Sequence, residues 1–118
     1  MQLLDRLQIV LSKDNGSNPQ SICFKKTEDT TDTALLLEYV AQNQPFPVAT
    51  TVIPFGTITT GKWLYFAPTA DADLIFNGGS DQITVLGGKT FRAWLSITAL
   101  SVVVTGAENV CNLVLAGE

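Results

Sequence analysis

Apolar and polar residues alternate along the second half of the chain, and short Gly-rich turns interrupt the alternation. Gln82–Leu86 is the clearest case, because Ile83 and Val85 fall on one side of a strand and Gln82 and Thr84 on the other. From Gly61 onward, turn signals recur roughly every 8 to 12 residues, which is typical of an all-β sandwich or barrel. We therefore predict an all-β fold, an antiparallel β-sandwich or jelly-roll-like barrel of about eight short strands.

The first third of the chain gives weaker signals. Leu3–Leu11 favours a strand, although its leucines would also suit a helical turn, and Lys13–Pro19 is a turn by composition. We predict a short strand at Ser21–Lys25, an exposed Thr- and Asp-rich loop at Lys26–Thr33, and a strand rather than a helix at Ala34–Val40. The first third of the chain therefore predicts further strands but does not indicate which strands they pair with.

The middle of the chain predicts one interrupted strand and two strongly apolar strands. Gln42–Pro47 should be extended or turning, and Val48–Ile58 should be an edge strand or a bulged strand because Pro54 interrupts it. Trp63–Ala67 and Leu74–Phe76 are apolar at successive positions, which predicts burial on both faces. We therefore expect this region to include a contact between chains.

The composition of the chain also favours an interface between chains. The chain has 118 residues, which suits one domain over residues 1–118, with residues 1–12 as a possible exchanged strand or arm. Apolar residues make up 46% of the chain and charged residues only 15%, below the roughly 25% of typical soluble domains. Because interface cores are depleted in charge, a subunit interface would account for this imbalance.

Charge and hydropathy also limit the classes of partner. The net charge is −4 and the seven basic residues are scattered, so we expect no nucleic-acid binding. We recognise no signal peptide and no apolar run near the roughly 20 residues of a membrane span. We therefore expect synthesis in the cytoplasm and no membrane partner.

The residues that most enzymes depend on are scarce. The chain contains no histidine, which removes the commonest general base and the commonest transition-metal ligand. Cys23 and Cys111 are far apart in sequence, so they could pair or remain two reduced, buried thiols, and we favour the second alternative. With no cofactor motif either, we predict no catalytic residues, no cofactor and no metal.

Carboxylates are the remaining chemical candidates. Asp71, Asp73 and Asp81 bracket one predicted hairpin with Asn77, and together they could bind calcium or supply the two acids of a hydrolase. Asp and Asn also occur in turns because their side chains bond the local backbone, and we expect that role here. The second acidic group, Glu28–Asp32, should be solvated.

Aromatic residues of the predicted strands are the candidates for a contact surface: Trp63, Tyr65, Phe66, Phe76 and Trp94. Most aromatics at strand spacing belong to a core, but an interface or a sugar-stacking platform would use the same residue types. Trp94 shares a strand face with Arg92, so it is the best candidate for a partly exposed contact.

A family resemblance rests on five segments of about the last 60 residues: Gly61–Phe66, Asp73–Ser80, Ile83–Gly88, Ser101–Gly106 and Val114–Gly117. Their order, a strand, Asn-Gly-Gly, a strand, Gly-Gly, a Val-rich strand pair and a Leu-Ala-Gly ending, resembles small β-sandwich structural proteins of tailed-bacteriophage virions. The resemblance implies a head-decoration, cement or tail-associated protein, usually trimeric or repeated by lattice symmetry. It carries over no functional residues, because such proteins act through surfaces.

The leading hypothesis is a non-enzymatic virion structural protein, assembled in the host cytoplasm. Its partners would be further copies of itself, with a trimer favoured, and major capsid or tail proteins. The alternative is a carbohydrate-binding module of an adhesin or fibre, using Trp63, Tyr65 and Trp94 with the Asp71–Asp81 hairpin. A carboxylate-based hydrolase is the third hypothesis, and it needs two acids about 5 to 10 Å apart in a cleft.

Overall fold

The computed structural model describes residues 3–13, 21–79 and 81–118, and for residues 9–13 and 21–25 it describes the backbone only. The chain divides into two compact units, Met1–Ala34 and Leu35–Glu118. The strands of the described part are β1 Leu3–Lys13, β2 Ser21–Asp32, β3 Leu36–Phe46, β4 Thr50–Ile53, β5 Gly61–Pro68, β6 Ala72–Phe76, β7 Asp81–Val85, β8 Phe91–Ile97, β9 Leu100–Val103 and β10 Asn109–Gly117. None of the described residues lies in a helix long and apolar enough to cross a membrane.

The first unit is a two-stranded antiparallel hairpin. Strands β1 and β2 pair from Leu3 opposite Asp32 to Lys13 opposite Ser21, and the register shifts once, between Leu11 and Ser12. The predicted strand at the start of the chain is confirmed, and the predicted turn lies largely in residues 14–20, outside the described residues. The loop predicted at Lys26–Thr33 is wrong, since β2 continues to Asp32. Its described side chains are polar and mostly exposed on both faces, so no apolar alternation marked the strand.

The second unit is an eight-stranded β-sandwich. Sheet I has the strand order β3-β10-β5-β8 and sheet II the order β4-β9-β6-β7, and every pairing is antiparallel. Numbered within the sandwich, these orders are 1-8-3-6 and 2-7-4-5, which is the strand order of a jelly roll. The predicted all-β sandwich is therefore confirmed, and the hairpin adds two further strands.

The chain crosses between the two sheets at most of its connections. Only β6 and β7 are both consecutive in sequence and paired within the sandwich, across the turn at Asn77–Gly79. The succession of short strands and turns is thus not a simple meander of neighbours. The tight Asn-Gly-Gly turn indicates that β6 pairs with β7, whereas the turn residues at the other connections mark only where strands end.

The core lies between the inner faces of the two sheets. Leu64 and Phe66 of sheet I and Leu74 and Val102 of sheet II are fully buried there. In β5 the inner residues alternate with Trp63, Tyr65 and other residues of the opposite face, as a strand requires.

Three further predictions about the sandwich can be compared with the strands. β4 is an edge strand that ends just before Pro54, as expected for the interrupted segment Val48–Ile58. β3 continues through the Gln42–Pro47 region as far as Phe46. The turn after β6 has positive φ angles at Asn77, Gly78 and Gly79, in agreement with its Asn-Gly-Gly sequence.

The last residues of β10 are fastened to the segment before β5. The Glu118 N–H donates to the Thr60 carbonyl (2.9 Å), and the Glu118 carbonyl accepts from the N–H groups of Thr59 and Thr60 (both 2.9 Å). Gly117 allows this approach, because a Cβ there would overlap the Thr60 carbonyl oxygen and lie 3.0 Å from the Gly61 Cα.

Candidate functional site: an apolar sheet face

The strand register of sheet I places two rows of side chains on its outer face. One row is Leu37, Ala116, Trp63 and Trp94, and the other is Val40, Val114, Tyr65 and Arg92. Residues directly opposite one another in antiparallel strands share a face, so these eight residues form one surface, which we call the apolar face. Arg92 is the only one of the eight that carries a charge.

The edge residues of the apolar face are exposed to solvent, whereas the central Trp63 is largely buried. On the edge strands, Leu37, Val40 and Trp94 are 51%, 54% and 39% exposed, whereas the central Trp63 is 8% exposed. The rings of Trp63 and Tyr65 stack with centroids 6.4 Å apart and planes 17° apart. The face therefore combines a rigid aromatic centre with accessible aliphatic and aromatic margins.

The outer face of sheet II differs in character. Its corresponding rows are Thr50, Val103, Asp73 and Thr84, and Val52, Ser101, Ile75 and Gln82. Five of these eight side chains are polar. A sheet with one solvent-exposed face normally has an apolar inner face and a polar outer face. Sheet II follows this pattern, and sheet I departs from it.

The five aromatic residues predicted as an interface separate into two groups. Trp63, Tyr65 and Trp94 lie on the apolar face, as the alternation along β5 and β8 requires. Phe66 is fully buried in the core, and Phe76 packs against the core beside Phe91, with ring centroids 6.3 Å apart. These two phenylalanines are therefore not part of the apolar face.

The candidate carboxylates bond to nearby residues. An Asp71 oxygen accepts from the Gly87 N–H (2.8 Å), and an Asp73 oxygen accepts from the Thr84 hydroxyl (2.6 Å). Within residues 3–13, 21–79 and 81–118, no group of three or more acidic or cysteine side chains could hold a metal ion. The bonds to local backbone expected of these residues are not the ones seen: Asp71 fastens the β5–β6 connection to the β7–β8 connection, 16 residues further on, and Asp73 makes a cross-strand contact between β6 and β7.

Asn77 fastens its turn to the segment between β8 and β9. Its side-chain oxygen accepts from the Thr98 N–H (2.8 Å) and hydroxyl (3.2 Å). The sugar-binding alternative needed this hairpin beside Trp63 and Trp94, but the hairpin belongs to sheet II and the tryptophans to sheet I. The structure therefore does not bring the parts of that predicted site together.

One buried polar residue was missed at the sequence level. Asn109, 1% exposed, donates from Nδ2 to the Ala70 carbonyl (2.7 Å), and its Oδ1 accepts from the Ala70 N–H (3.2 Å) and from the N–H and hydroxyl of Thr69 (both 3.1 Å). It thereby fixes the β5–β6 connection to the start of β10. Its position in a Gly-Ala-Glu-Asn turn indicated only a loop residue.

Cys111 lies two residues further along β10, buried in the core as a free thiol. Burial raises the pKa of this thiol to about 11, which keeps it protonated at neutral pH. This is the inert, hydrophobe-like state expected for it, and the side chain of Cys23 lies outside the described ones.

A bulge in β3 directs Glu38 toward the segment that follows β4. Tyr39 pairs with Leu115 and Leu37 with Ala116, so Glu38 is the extra residue of β3. The Glu38 carboxylate accepts hydrogen bonds from the hydroxyl and N–H of Thr57, and the hydroxyl bond in particular lowers its pKa. Glu38 therefore links the edge of sheet I to the β4–β5 connection.

Comparisons of the chain with protein-family models, curated proteins and solved structures found no significant match. The fold and the surface together define an eight-stranded jelly roll with one apolar outer face, and a two-stranded β-hairpin precedes it in sequence.

Proposed function

We propose that this chain is a non-enzymatic structural protein of a tailed-bacteriophage virion that assembles with further copies of itself through the apolar face. The observation that carries the proposal is the contrast between the two sheets. Each outer face carries one charged residue in eight, Arg92 on sheet I and Asp73 on sheet II. Sheet II adds four uncharged polar side chains, whereas the other seven residues of the apolar face are aliphatic or aromatic. A surface with this composition resembles the core of a protein interface, where charge is depleted and aromatic residues are enriched.

Two further considerations support the virion role. Jelly rolls recur in viral capsid proteins, which is an analogy at the level of fold. The resemblance of the last 60 or so residues to phage head-decoration, cement and tail-associated proteins adds a separate argument from sequence. Capsid or tail proteins would then be the second partner, contacted through surfaces other than the one between copies.

A second copy is the proposed occupant of the apolar face because the same residues would supply both sides of a symmetric contact. Twofold dimers are the commonest soluble oligomers, and their isologous interface uses the same surface on both subunits. A sugar ligand is a weaker candidate, because Trp63 is mostly covered, Tyr65 is half-buried and only Trp94 of these three rings is exposed. A glycan array would test that alternative directly.

The oligomer can be tested with two matched substitutions. Val40→Glu places a charge on the apolar face, and Val52→Glu makes the same change on the outer face of sheet II, also on an exposed edge strand. We expect the wild-type chain to be oligomeric by light scattering, Val40→Glu to raise the dissociation constant about tenfold or more, and Val52→Glu to leave it unchanged. A monomeric wild type, or equal effects of the two variants, would contradict the proposal.

The virion location needs a separate measurement. Immunogold electron microscopy of purified virions, produced by cells that carry the gene, should show label at the head surface or on the tail. Labelling confined to unassembled protein would leave a homo-oligomer without a role in the particle, and would refute this part of the proposal.

A further inference from the structure

The β6–β7 turn contains a pair of residues, Asn77 and Gly78, that can react with each other. The Gly78 nitrogen bonds to the side-chain amide carbon of Asn77, its proton passes to the departing amide nitrogen, and ammonia leaves. Water then opens the cyclic imide at one of its two carbonyls, which gives aspartate or isoaspartate. A glycine in second place favours the attack because it has no side chain to shield its nitrogen.

The backbone of the turn keeps the two reacting atoms apart. The Gly79 N–H donates to the Phe76 carbonyl (3.3 Å), and the φ angles of Asn77 and Gly78 are 55° and 88°. These angles are those of a type I′ turn, in which ψ of the first central residue is about +30°. At that ψ the Gly78 nitrogen and the Asn77 Cβ lie on opposite sides of the bond between Cα and the carbonyl carbon. Ring closure needs them on the same side, so Asn77 must first rotate about this bond.

The hydrogen bonds of Asn77 also oppose the reaction. Its side-chain oxygen accepts from the N–H and hydroxyl of Thr98, and its own N–H donates to the Ala99 carbonyl (3.0 Å). The side chain has to leave Thr98 before its amide carbon can approach Gly78. Asn77 therefore reacts only after both the turn and these bonds have opened.

Strand β7 is the element whose release opens the turn. Among the described strands it pairs with β6 alone, whereas β6 also pairs with β9. Of the five residues of β7, only Val85 is buried. Segments with few buried apolar contacts open locally at a lower free energy than the whole domain. Release of β7 therefore frees the turn while β6 stays in sheet II.

We propose that Asn77 is a site of spontaneous deamidation and that local opening of the β6–β7 hairpin controls its rate. The proposal does not depend on self-assembly. The aspartate product keeps the original backbone and an oxygen that can accept from Thr98. The isoaspartate product has one more carbon atom in the main chain, which the two-residue turn between Phe76 and Gly79 does not accommodate. Sheet II would then lose β7 from its edge.

Peptide mapping by mass spectrometry measures the reaction at this one residue. Trypsin releases Asn77 in the peptide Trp63–Lys89, which contains no other asparagine, so reaction at Asn15 is scored separately. The full-length chain is incubated at mildly alkaline pH with and without an unfolding concentration of guanidinium chloride. We expect deamidation of Asn77 to be about tenfold or more slower in the folded chain. Equal rates would show that the turn does not protect Asn77, and no reaction in the unfolded chain would refute the site itself.

Two truncations in the full-length chain distinguish local opening from unfolding of the whole domain. Ile83→Ala removes apolar contact between β7 and the core, and Val104→Ala removes it beyond the far end of β6, where Asp73 pairs with Val103. Both should lower the global stability measured by urea unfolding. We expect Ile83→Ala to raise the folded-state rate of deamidation about tenfold and Val104→Ala to leave it near the wild-type rate. Equal acceleration by the two variants, or none by Ile83→Ala, would overturn the proposed control by the hairpin.

Discussion

Asn109 provides a sharp test of how the sandwich is held together. Asn109→Ala removes a fully buried side chain that makes four hydrogen bonds to Thr69 and Ala70. The Thr69 N–H keeps a partner, because it also donates to the Val110 carbonyl (3.2 Å). The N–H and carbonyl of Ala70 lose the bonds that Asn109 supplied.

The expected loss of stability follows from these two groups. Leaving a buried polar group without its partner costs about 1 to 3 kcal/mol, and Ala70 is exposed enough for water to replace part of the bonding. We therefore take the lower part of that range for each group and expect Asn109→Ala to lower the free energy of unfolding by about 2 to 3 kcal/mol. For a domain of this size the melting temperature should fall by roughly 10 to 20 °C.

Asn112→Ala is the matched control, because it changes the same residue type on the same strand. Asn112 is half-buried, and its side-chain oxygen accepts a single backbone bond, from the Asn43 N–H (2.7 Å). Its loss should cost about 1 kcal/mol. Urea unfolding followed by tryptophan fluorescence would measure both variants. If Asn109→Ala lowered the free energy of unfolding no more than Asn112→Ala, the stabilising role assigned to the buried hydrogen bonds of Asn109 would be refuted.

Three other residues give expectations of the same kind. Gly117→Ala should destabilise the sandwich by about 2 kcal/mol or more in thermal unfolding, because the new Cβ meets the Thr60 carbonyl, and an unchanged melting temperature would contradict this close contact. In a Cys23→Ser variant, Cys111 should react with a thiol reagent at pH 8 only as fast as the chain unfolds, because burial raises the pKa of its thiol to about 11. Rapid labelling of the folded protein would contradict the burial. For the same reason stability should fall as the pH rises from about 9 toward 11, because the folded thiol keeps its proton longer than the unfolded one. Glu38 has a lowered pKa, so its contribution is present above its ordinary pKa of 4.5 and is lost as the pH falls through the folded value. In the Glu38→Gln variant, the free energy of unfolding should therefore fall less steeply as the solution is acidified. An unchanged dependence on acidic pH would show that the hydrogen bonds to Thr57 do not contribute to stability.

Local features of the chain were predictable from sequence where a residue type determines the backbone. The Asn77–Gly79 turn is an example, because its positive φ angles favour asparagine and glycine. Trp63–Ala67 was recognised as a strand with two apolar faces, and it occupies an inner position of sheet I. By contrast, Lys26–Thr33 was taken for a loop because a strand that is polar on both faces has no periodicity to detect.

Features that depend on distant pairing could not be predicted. Alternation alone places Trp63 and Tyr65 opposite Leu64 and Phe66, but it does not say which pair faces the core. That choice depends on the side of sheet I on which sheet II packs, which no local signal specifies. Asn109 was missed for the same reason, because its partners at Thr69 and Ala70 are some 40 residues away in sequence.

The pairing of β3 with β10 brings Leu36 opposite Gly117, so the two ends of the sandwich emerge side by side. A short peptide could join them, and new termini could be opened in the turn at Gly78 and Gly79, where neither glycine has a neighbouring atom within 4 Å of a Cβ position. The sandwich is therefore a candidate for circular permutation. A permuted chain would carry an affinity tag or cargo on the β6–β7 turn. A fusion to the present carboxyl terminus would instead lie beside the segment that leads into Leu36 and compete with it for space.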